Sequence, residues 1–249
     1  MALLTEEDVR RMSDNGARGP VVVNRDQVLT PGAKDYLREH RVEVVYPQGR
    51  PEGAAKPGSG GAEAPSAPRY QTLFGAALTE KPEHMTQLFG NVLVAKDHPR
   101  IHFRGKLDSL QALVVLDQVQ IAEGGCQKLV DDLGNILGVL REMMRCDVLD
   151  EAFKNETIIG LTHAELRERS HNPQKFFGVQ YMQLPDYTMG RDYALLNQLR
   201  AAVRETEVAA TEAFRVGNKY TRKDIIEELN RLSSAIHIMM CMYLAGQYR

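Results

Sequence analysis

The sequence lacks tryptophan altogether and contains only three cysteines in 249 residues. No two of these cysteines, Cys126, Cys146 and Cys241, form a C-x-x-C pair. Their odd number and wide spacing exclude a disulfide framework and the usual zinc ribbon. Structural stability is therefore expected to come from an apolar core and not from cross-links.

An excess of charge of one sign is also lacking. The chain carries 31 Lys and Arg against 33 Asp and Glu, which leaves a formal net charge of −2. A chain without a global basic field is not expected to bind nucleic acid generically. The longest apolar run, residues 235–245, is interrupted by His237 and falls short of the ~20 residues that a membrane span requires. Because the first twenty residues lack the apolar core of a signal peptide, we expect a cytoplasmic protein without a membrane anchor.

Residues 47–69 differ in composition from the rest of the chain. They include five prolines and five glycines and no aromatic or branched aliphatic residue. Such a segment cannot bury enough apolar surface to offset its ordering entropy, which favours a flexible linker. The alternative is a long ordered surface loop, which is uncommon in compact domains. The linker separates a small unit, residues 1–46, from a larger one, residues 70–249.

The small unit has the pattern of alternating helices and strands. We expect one helix over residues 5–12, and a second that begins with Thr30 as N-cap and Pro31 at its first position. A β-branched run at 21–23 and the alternating segment 42–44 predict strands. No internal repeat is evident. Because an α-β-α-β unit of this size has a limited core, we interpret it as a docking or targeting module.

After the linker, apolar residues recur with the period of a helix. Thr221 and Asp224 resemble a capping box at the start of the last such segment. The methionines at 239, 240 and 242 are interpreted as core and not as a soft-metal site. The pattern predicts a mainly α fold, an antiparallel bundle of four long helices and a short one, over residues 107–122, 129–144, 162–170, 191–217 and 222–245.

Two polar faces interrupt the apolar stripes of the bundle. Arg200, Arg204 and Glu207 follow i, i+4, i+7 spacing, so they share one face of a helix. The last helix repeats this spacing with Asn230, Ser234 and His237. The simpler interpretation is a solvated face with an Arg–Glu ion pair. The alternative is a polyphosphate site, because two guanidinium groups one turn apart match the geometry of phosphate oxygens.

The segment between the linker and the bundle is rich in polar residues. Residues 81–87, KPEHMTQ, and 96–100, KDHPR, have the composition of a loop that could hold a triphosphate. An ordinary connecting loop is the alternative. His98 and His102 are four residues apart, but Pro99 opposes placing both on one helix, so a zinc pair is not expected.

Several of these segments resemble motifs of one enzyme family. Residues 81–110, KPEHMTQLFGNVLVAKDHPRIHFRGKLDSL, resemble the opening of the ATP-dependent corrinoid adenosyltransferases, in which a phosphate-binding loop leads through Lys-x-x-Pro-Arg into a Gly-x-x-Asp helix start. LNQLRAAVRETE at 196–207 and ELNRLSS at 228–234 resemble the arginine helix and the final Asn-Arg-Leu-Ser segment of that family. The KPEHMT loop, SHNPQKFF at 170–177 and the segment 29–44 are similar to the ethanolamine-utilisation type. The resemblance covers roughly residues 29–245.

The resemblance implies a bundle that transfers the 5′-deoxyadenosyl group of ATP to the cobalt of reduced cobalamin. Cobalt(I) is itself the nucleophile in this chemistry, so no Ser–His or Cys–His apparatus is needed. The implied catalytic residues are Arg200, Arg204 and Glu207. ATP, delivered with Mg²⁺, is expected to contact Lys81, Thr86, Lys96, Asn230 and Arg231. Residues implied to face the corrinoid, each with core packing as its alternative, are Phe89, Phe176 and Phe177.

Three positions depart from the wider family. Glu205 and Val208 stand where its arginine helix often has basic residues, and Ser234 stands where an acid often follows Asn-Arg-Leu-Ser. These departures favour a second hypothesis, a non-catalytic nucleotide- or corrinoid-binding bundle that docks a larger assembly. Some members of the ethanolamine type carry His and Cys residues just before the Lys-Pro segment, but residues 68–80 contain neither, so we expect no protein-bound metal besides Mg²⁺ with ATP. The resemblance further implies a homo-oligomer, dimer or trimer, with a flavoprotein reductase or microcompartment components as partners.

Overall fold

The computed structural model describes residues 2–14, 21–24, 27–40, 42, 44–45, 68–180 and 183–248. The chain divides into two compact units, Met1–Ala64 and Pro65–Arg249. Of the expected linker, 47–69, only Pro68 and Arg69 are among the described residues. Its flexibility therefore stays a prediction.

The small unit contains two more strands than the sequence pattern predicts. Its elements are β1 (Ala2–Leu4), α1 (Glu6–Asp14), β2 (Val21–Val22), β3 (Gln27–Leu29), α2 (Pro31–Glu39) and β4 (Val44–Val45). The expected α-β-α-β order is thus corrected to β-α-β-β-α-β. At three residues each, β1 and β3 are too short to show the alternation of polar and apolar residues that reveals a strand.

The small unit is also an internal repeat. Strand β1 pairs in parallel with β3, with Leu4 opposite Leu29, and β2 pairs in parallel with β4. Each helix is nine residues long and follows a threonine whose hydroxyl accepts a hydrogen bond from the first turn, Thr5 in α1 and Thr30 in α2. Between residues 2–14 and 27–39 only that Leu-Thr pair is identical. The duplication is therefore visible in the structure and not in the sequence.

The larger unit opens with a four-stranded sheet. Its strands are β5 (Tyr70–Thr72), β6 (Ala77–Leu78), β7 (Met85–Phe89) and β8 (Val92–Ala95), in the order β6-β5-β8-β7. The segment interpreted from its polar composition as a loop is thus partly strand, with Thr86 on β7 and Lys81 and Lys96 outside the strands. Leu88, Leu93 and Val94 are buried, and they hold the sheet against the rest of the unit.

The expected helical bundle is confirmed. Its long helices are α3 (Pro99–Glu123), α4 (Gln127–Leu149), α7 (Arg191–Ala213) and α8 (Lys223–Leu244), with the shorter α5 (His163–His171) and α6 (Pro173–Phe177) between them. Two small hairpins connect helices, β9 (Thr157–Ile158) with β10 (Leu161–Thr162) and β11 (Arg215–Val216) with β12 (Lys219–Tyr220). Along α3 the buried positions recur at steps of three and four, which is the seam of a packed bundle, at Phe103, Leu107, Leu110, Val114, Asp117 and Ile121.

Helix α3 begins eight residues earlier than its apolar pattern indicates. Pro99 occupies the first position, and the His98 ring accepts a hydrogen bond from Arg100 N as the N-cap. At the same end of the bundle, the fully buried carboxylate of Asp147 accepts from Arg100 and Arg104. Arg104 also donates to the Leu88 carbonyl at 2.7 Å. This network joins the sheet to the ends of α3 and α4.

Asp117 is an exception in the core seam of α3. Its side chain is 1% exposed, and neither carboxylate oxygen has a hydrogen-bond partner among the described residues. Burial raises the pKa of Asp117 to about 7. Within the described ranges, none of the helices is long and apolar enough to cross a membrane.

Candidate functional site

A cleft of about 690 Å³ lies where α5, α7 and α8 meet the chain that follows α6. Its wall includes no aspartate or glutamate among the described residues, but it includes four arginines and two histidines. The cleft is therefore a positive, acid-free cavity suited to a polyanion. Its charged and imidazole side chains are Arg167, His171, Arg200, Arg204, Arg231 and His237.

Helix α7 supplies two of these arginines. Its core stripe, which includes Leu199 and Val203, faces the bundle and turns Arg200 and Arg204 toward the cleft. Arg200 donates to Asn197 Oδ1 at 3.0 Å. The guanidinium of Arg204 has no hydrogen bond or ion pair with any described residue. Its donors are thus available to a ligand.

Helix α8 supplies the opposite part of the wall. Arg231 donates to Asn230 Oδ1 at 3.2 Å, and Ser234 donates its hydroxyl to the Asn230 carbonyl. Arg231 Nε is buried and has no partner in the described part of the chain. Because a buried N–H of a charged group is costly to leave unpaired, this donor is a second feature that suits an anion-binding site.

Glu207 lies one turn beyond Arg204 on α7 and does not line the cleft. Burial raises the pKa of Glu207, although the positive charges of Arg204 and Arg231 oppose that rise. An Arg–Glu ion pair on this face is the simpler interpretation of the sequence. Among the described residues it does not form, because neither Arg204 nor Arg231 reaches the Glu207 carboxylate within ion-pair distance.

The far end of the cleft is more apolar. Tyr193, Met240 and Leu244 line it beside His237 and Cys241, whose Sγ lies 3.9 Å from His237 Nε2. Burial, with the nearby charges of Arg200 and His171, lowers the pKa of His237, so its ring is neutral at pH 7. Burial raises the pKa of the Cys241 thiol to about 11, which makes it unreactive.

Sequence reasoning missed the contribution of α5. Arg167, Ser170 and His171 project from this short helix into the cleft. The His171 ring donates through Nδ1 to the Arg167 carbonyl at 2.7 Å, which leaves Nε2 as the free ring nitrogen. Their i, i+3, i+4 spacing was the available signal, but α5 is mostly polar and gives no apolar stripe from which to orient it.

The expected phosphate-loop residues lie in or beside the sheet and not at the cleft. Lys96 pairs with Glu83 at 3.1 Å, Lys81 is exposed, and Thr86 is half-buried on β7. None of the three lines the cleft with Arg200, Arg204, Asn230 and Arg231. Within one chain, the structure therefore brings together only one part of the expected site.

The three phenylalanines expected to face a corrinoid also lie outside the cleft. Phe89 lies at the end of β7, with the Arg100 guanidinium 5.8 Å from its ring centre. The ring of Phe176 contacts Lys175 and Arg169, and Phe177 packs against the core of the bundle. In the ranges that the structure describes, no group of three or more His, Cys, Asp and Glu side chains could hold a metal ion.

The family model and the curated relatives that match this chain point to the same enzyme family. The family model for cobalamin adenosyltransferase matches residues 77–243. The chain is 36% identical over 229 residues to the corrinoid adenosyltransferase EutT of Salmonella typhimurium, covering 88% of this chain and 84% of that protein. It is 35% identical over 231 residues to EutT of Escherichia coli K12, covering 89% and 85%.

A solved structure supports the fold. A variant of the PduO-type ATP:corrinoid adenosyltransferase from Lactobacillus reuteri, in complex with cobalamin and ATP, matches with a TM-score of 0.50. The match covers 67% of this chain and 92% of that one at 17% sequence identity. At this identity the likeness concerns the fold alone.

Proposed function

This chain belongs to the cobalamin adenosyltransferase family, and we propose that it transfers the 5′-deoxyadenosyl group of ATP to the cobalt of reduced cobalamin. Cobalt(I) attacks the ribose C5′ carbon, the C5′–O bond breaks, and triphosphate leaves with the bonding electrons. The product is adenosylcobalamin. One observation carries the assignment to this cleft: the unpaired guanidinium of Arg204 faces an acid-free cavity beside Arg200 and Arg231.

The arginines act on the leaving group. Arg200, Arg204 and Arg231 bind the triphosphate and stabilise the negative charge that grows as the C5′–O bond breaks. Mg²⁺ bound to ATP neutralises a further part of that charge. Asn230 holds Arg231 in place through its side-chain oxygen. Glu207, beyond the arginines on α7, restrains Arg204 and Arg231 electrostatically, without the ion pair that would block them.

The apolar end of the cleft suits the corrinoid. Tyr193, Met240 and Leu244 exclude water there, which strengthens the electrostatic interactions at the arginines. Phe89, Phe176 and Phe177 remain candidates for the surface around the corrinoid, although none of them lines the cleft within one chain. Their contribution therefore depends on how chains assemble.

We propose that the active protein is a homo-oligomer, a dimer or a trimer. Thr86 lies in the sheet and Lys81 and Lys96 lie beside it, away from the cleft wall, so a second copy would have to bring them to the ATP held by Arg204. Mixing Arg204→Ala with Lys81→Ala should then give more turnover than either variant gives alone. Mixing Arg204→Ala with Arg231→Ala should restore none, because both changes affect the same wall. Equal outcomes for the two mixtures would contradict a shared site.

The decisive experiment is a spectral assay of the purified protein. With ATP, Mg²⁺ and chemically reduced cobalamin, the corrinoid spectrum should change to that of adenosylcobalamin, and the change should require ATP. Binding of both ligands without this change would instead favour the second hypothesis, a non-catalytic bundle. Three departures from the wider family motivate that hypothesis: Glu205, which pairs with Lys106 at 3.2 Å, Val208, which is exposed, and Ser234, which lines the cleft.

The cellular setting is part of the same proposal. The similarity to the EutT proteins supports a cytoplasmic role in ethanolamine catabolism, where adenosylcobalamin is consumed. A flavoprotein reductase would supply the reduced corrinoid, and microcompartment components are candidate partners of residues 1–46. Affinity purification with and without residues 1–46 tests whether that unit recruits them.

A further inference from the structure

The N-terminus of α5 lies against a buried carboxylate on α8. Glu228 on α8 is 2% exposed, yet it is two residues away from Asn230 in the cleft wall. Asn155 Nδ2 donates to Glu228 Oε1 at 2.7 Å, and His163 Nε2 lies 3.0 Å from Glu228 Oε2. This second contact is an ion pair when His163 is protonated. Burial raises the pKa of Glu228, and the titratable groups that face it are His163 and Glu227.

His163 is the first residue of α5, so the pair fixes one end of that helix. Thr162 precedes it as N-cap and forms a full capping box with Glu165. One and two turns later, the same helix presents Arg167, Ser170 and His171 to the cleft. The Glu228–His163 contact therefore ties the helix that carries one wall of the cleft to the helix that carries the other.

A strained turn leads into the same helix. The hairpin of β9 and β10 turns at Ile159, with φ of 49°, and Gly160, with φ of 74°. A β-branched residue rarely adopts such a conformation, which persists only where surrounding contacts enforce it. Ile159 N donates to Asn135 Oδ1 at 2.7 Å, and Asn155 also donates to the Thr157 carbonyl at 3.0 Å. The strained turn therefore lies between Asn155 and His163, the two residues that contact the Glu228 carboxylate.

We propose that Glu228 is a positioning residue for the cleft, which through His163 and Asn155 holds α5 at the distance from α8 that lets both walls contact the nucleotide. This inference rests on the proposed function only in naming ATP as the ligand. The α5 side chains contribute ground-state binding contacts in this arrangement. Loss of the contact is therefore expected to raise the KM for ATP more than it lowers kcat.

The test compares Glu228→Ala, His163→Ala and their double variant with Glu227→Ala, an exposed glutamate one residue away. In the full chain, Glu228→Ala should raise the KM for ATP by about five- to tenfold and leave kcat within about twofold. His163→Ala should have a similar effect, and the double variant should be no worse than Glu228→Ala, because both changes break one contact. Glu228→Gln keeps an acceptor for Asn155 and should recover part of the loss.

Amide hydrogen exchange of residues 163–171 supplies a readout that needs no activity. Exchange in α5 should quicken in Glu228→Ala and stay at the wild-type rate in Glu227→Ala. A wild-type KM with unchanged α5 exchange in Glu228→Ala would overturn the proposal, and so would a lowered melting temperature with an unchanged KM. If the wild-type chain transfers no adenosyl group, the proposed function fails separately, and calorimetric binding of Mg-ATP and inorganic triphosphate then tests the positioning role. Should Glu228→Ala fail to fold, Glu228→Gln and His163→Ala carry the same comparison.

Discussion

Glu207 follows Arg204 by one turn on α7, and within the described residues the two side chains form no ion pair. The electrostatic influence of Arg204 on Glu207 is nevertheless present, because the arginine charge favours the ionised carboxylate. The arginine thus keeps its hydrogen-bond donors for a ligand. The unpaired arginine distinguishes this face of α7 from an ordinary helix surface, on which arginine and glutamate form salt bridges.

Arg204→Ala should impair the use of ATP far more than it affects folding. The contact proposed for Arg204 is a charge-assisted hydrogen bond to phosphate, worth about 1.5–3 kcal/mol, so kcat/KM for ATP should fall roughly 10- to 150-fold. Steady-state kinetics with reduced cobalamin measure this loss. Arg141→Ala, at an exposed arginine of α4 outside the cleft, is the matched control. Equal kcat/KM values for the two variants would contradict the assignment of Arg204 to the ATP site.

Residues 1–69 should be dispensable for the transfer reaction. The cleft and every expected site residue lie in the second compact unit, Pro65–Arg249. A shortened chain that begins near Arg69 should fold and turn over ATP and cobalamin like the full chain. Circular dichroism and the spectral assay measure the two properties. Loss of cobalamin binding with an intact fold would mean that the small unit contributes to the site.

Asp117→Asn should stabilise the protein more at pH 8 than at pH 5. Burial raises the pKa of Asp117 from 3.8 to about 7, so between these values the folded state holds a proton that the unfolded chain releases. The free energy of unfolding of the wild type therefore falls as the pH rises through this window and levels off above it. Asparagine carries no charge, so the advantage of the variant should grow by about 2 kcal/mol between pH 5 and pH 8.

Urea denaturation at both pH values measures this difference. Asp108→Asn is the control, because Asp108 lies on the same helix and is exposed. A stability advantage of Asp117→Asn that is the same at both pH values would show that Asp117 is ionised in the folded state over the whole range.

The purified protein should contain no stoichiometric zinc or iron. The stretch 68–80 offers no His or Cys, and Cys126 and Cys146 stand at opposite ends of α4. We expect activity to require only the Mg²⁺ that accompanies ATP. Elemental analysis tests this expectation, and about one transition metal per chain, with activity lost on its removal, would contradict it.

The bundle could be predicted because its helices are long. Positions such as Leu129, Leu133, Ile136 and Leu140 repeat the helical period often enough to be recognised, and all four are buried. The sheet of the larger unit could not be predicted in the same way. Strands of two to five residues are too short to show a clear alternation of polar and apolar residues. Polar residues such as Thr86 and Gln87 also give β7 the composition of a loop.

Capping motifs illustrate a second limit. Thr221 and Asp224 were expected to cap α8, but the Asp224 carboxylate accepts from Phe153 N at 2.8 Å and from Arg222, and α8 begins without a side-chain cap. A full capping box forms instead at α5, where Thr162 pairs with Glu165. Thr221 and Asp224 have the same spacing as Thr162 and Glu165. Whether Asp224 caps α8 depends on Phe153, a partner 71 residues away in sequence.

The candidate site could likewise be predicted only in part. The joint placement of Arg200, Arg204, Asn230 and Arg231 at one cleft follows from helical spacing once α7 and α8 pack together. The roles of these residues stay predictions. The contribution of Arg167 and His171 could not be anticipated, because it depends on the packing of α5 against α8 and not on a pattern within α5.

A cleft whose described lining residues include four arginines and no carboxylate attracts small anions from the buffer. With ATP bound there as proposed, phosphate, sulfate or citrate ions compete with it for the same arginines. The apparent KM for ATP should therefore depend on which buffer anion is present as well as on ionic strength. Affinities measured in chloride and in phosphate at equal ionic strength should differ, and the slope of log Kd for ATP against log phosphate concentration reports how many phosphate ions the nucleotide replaces.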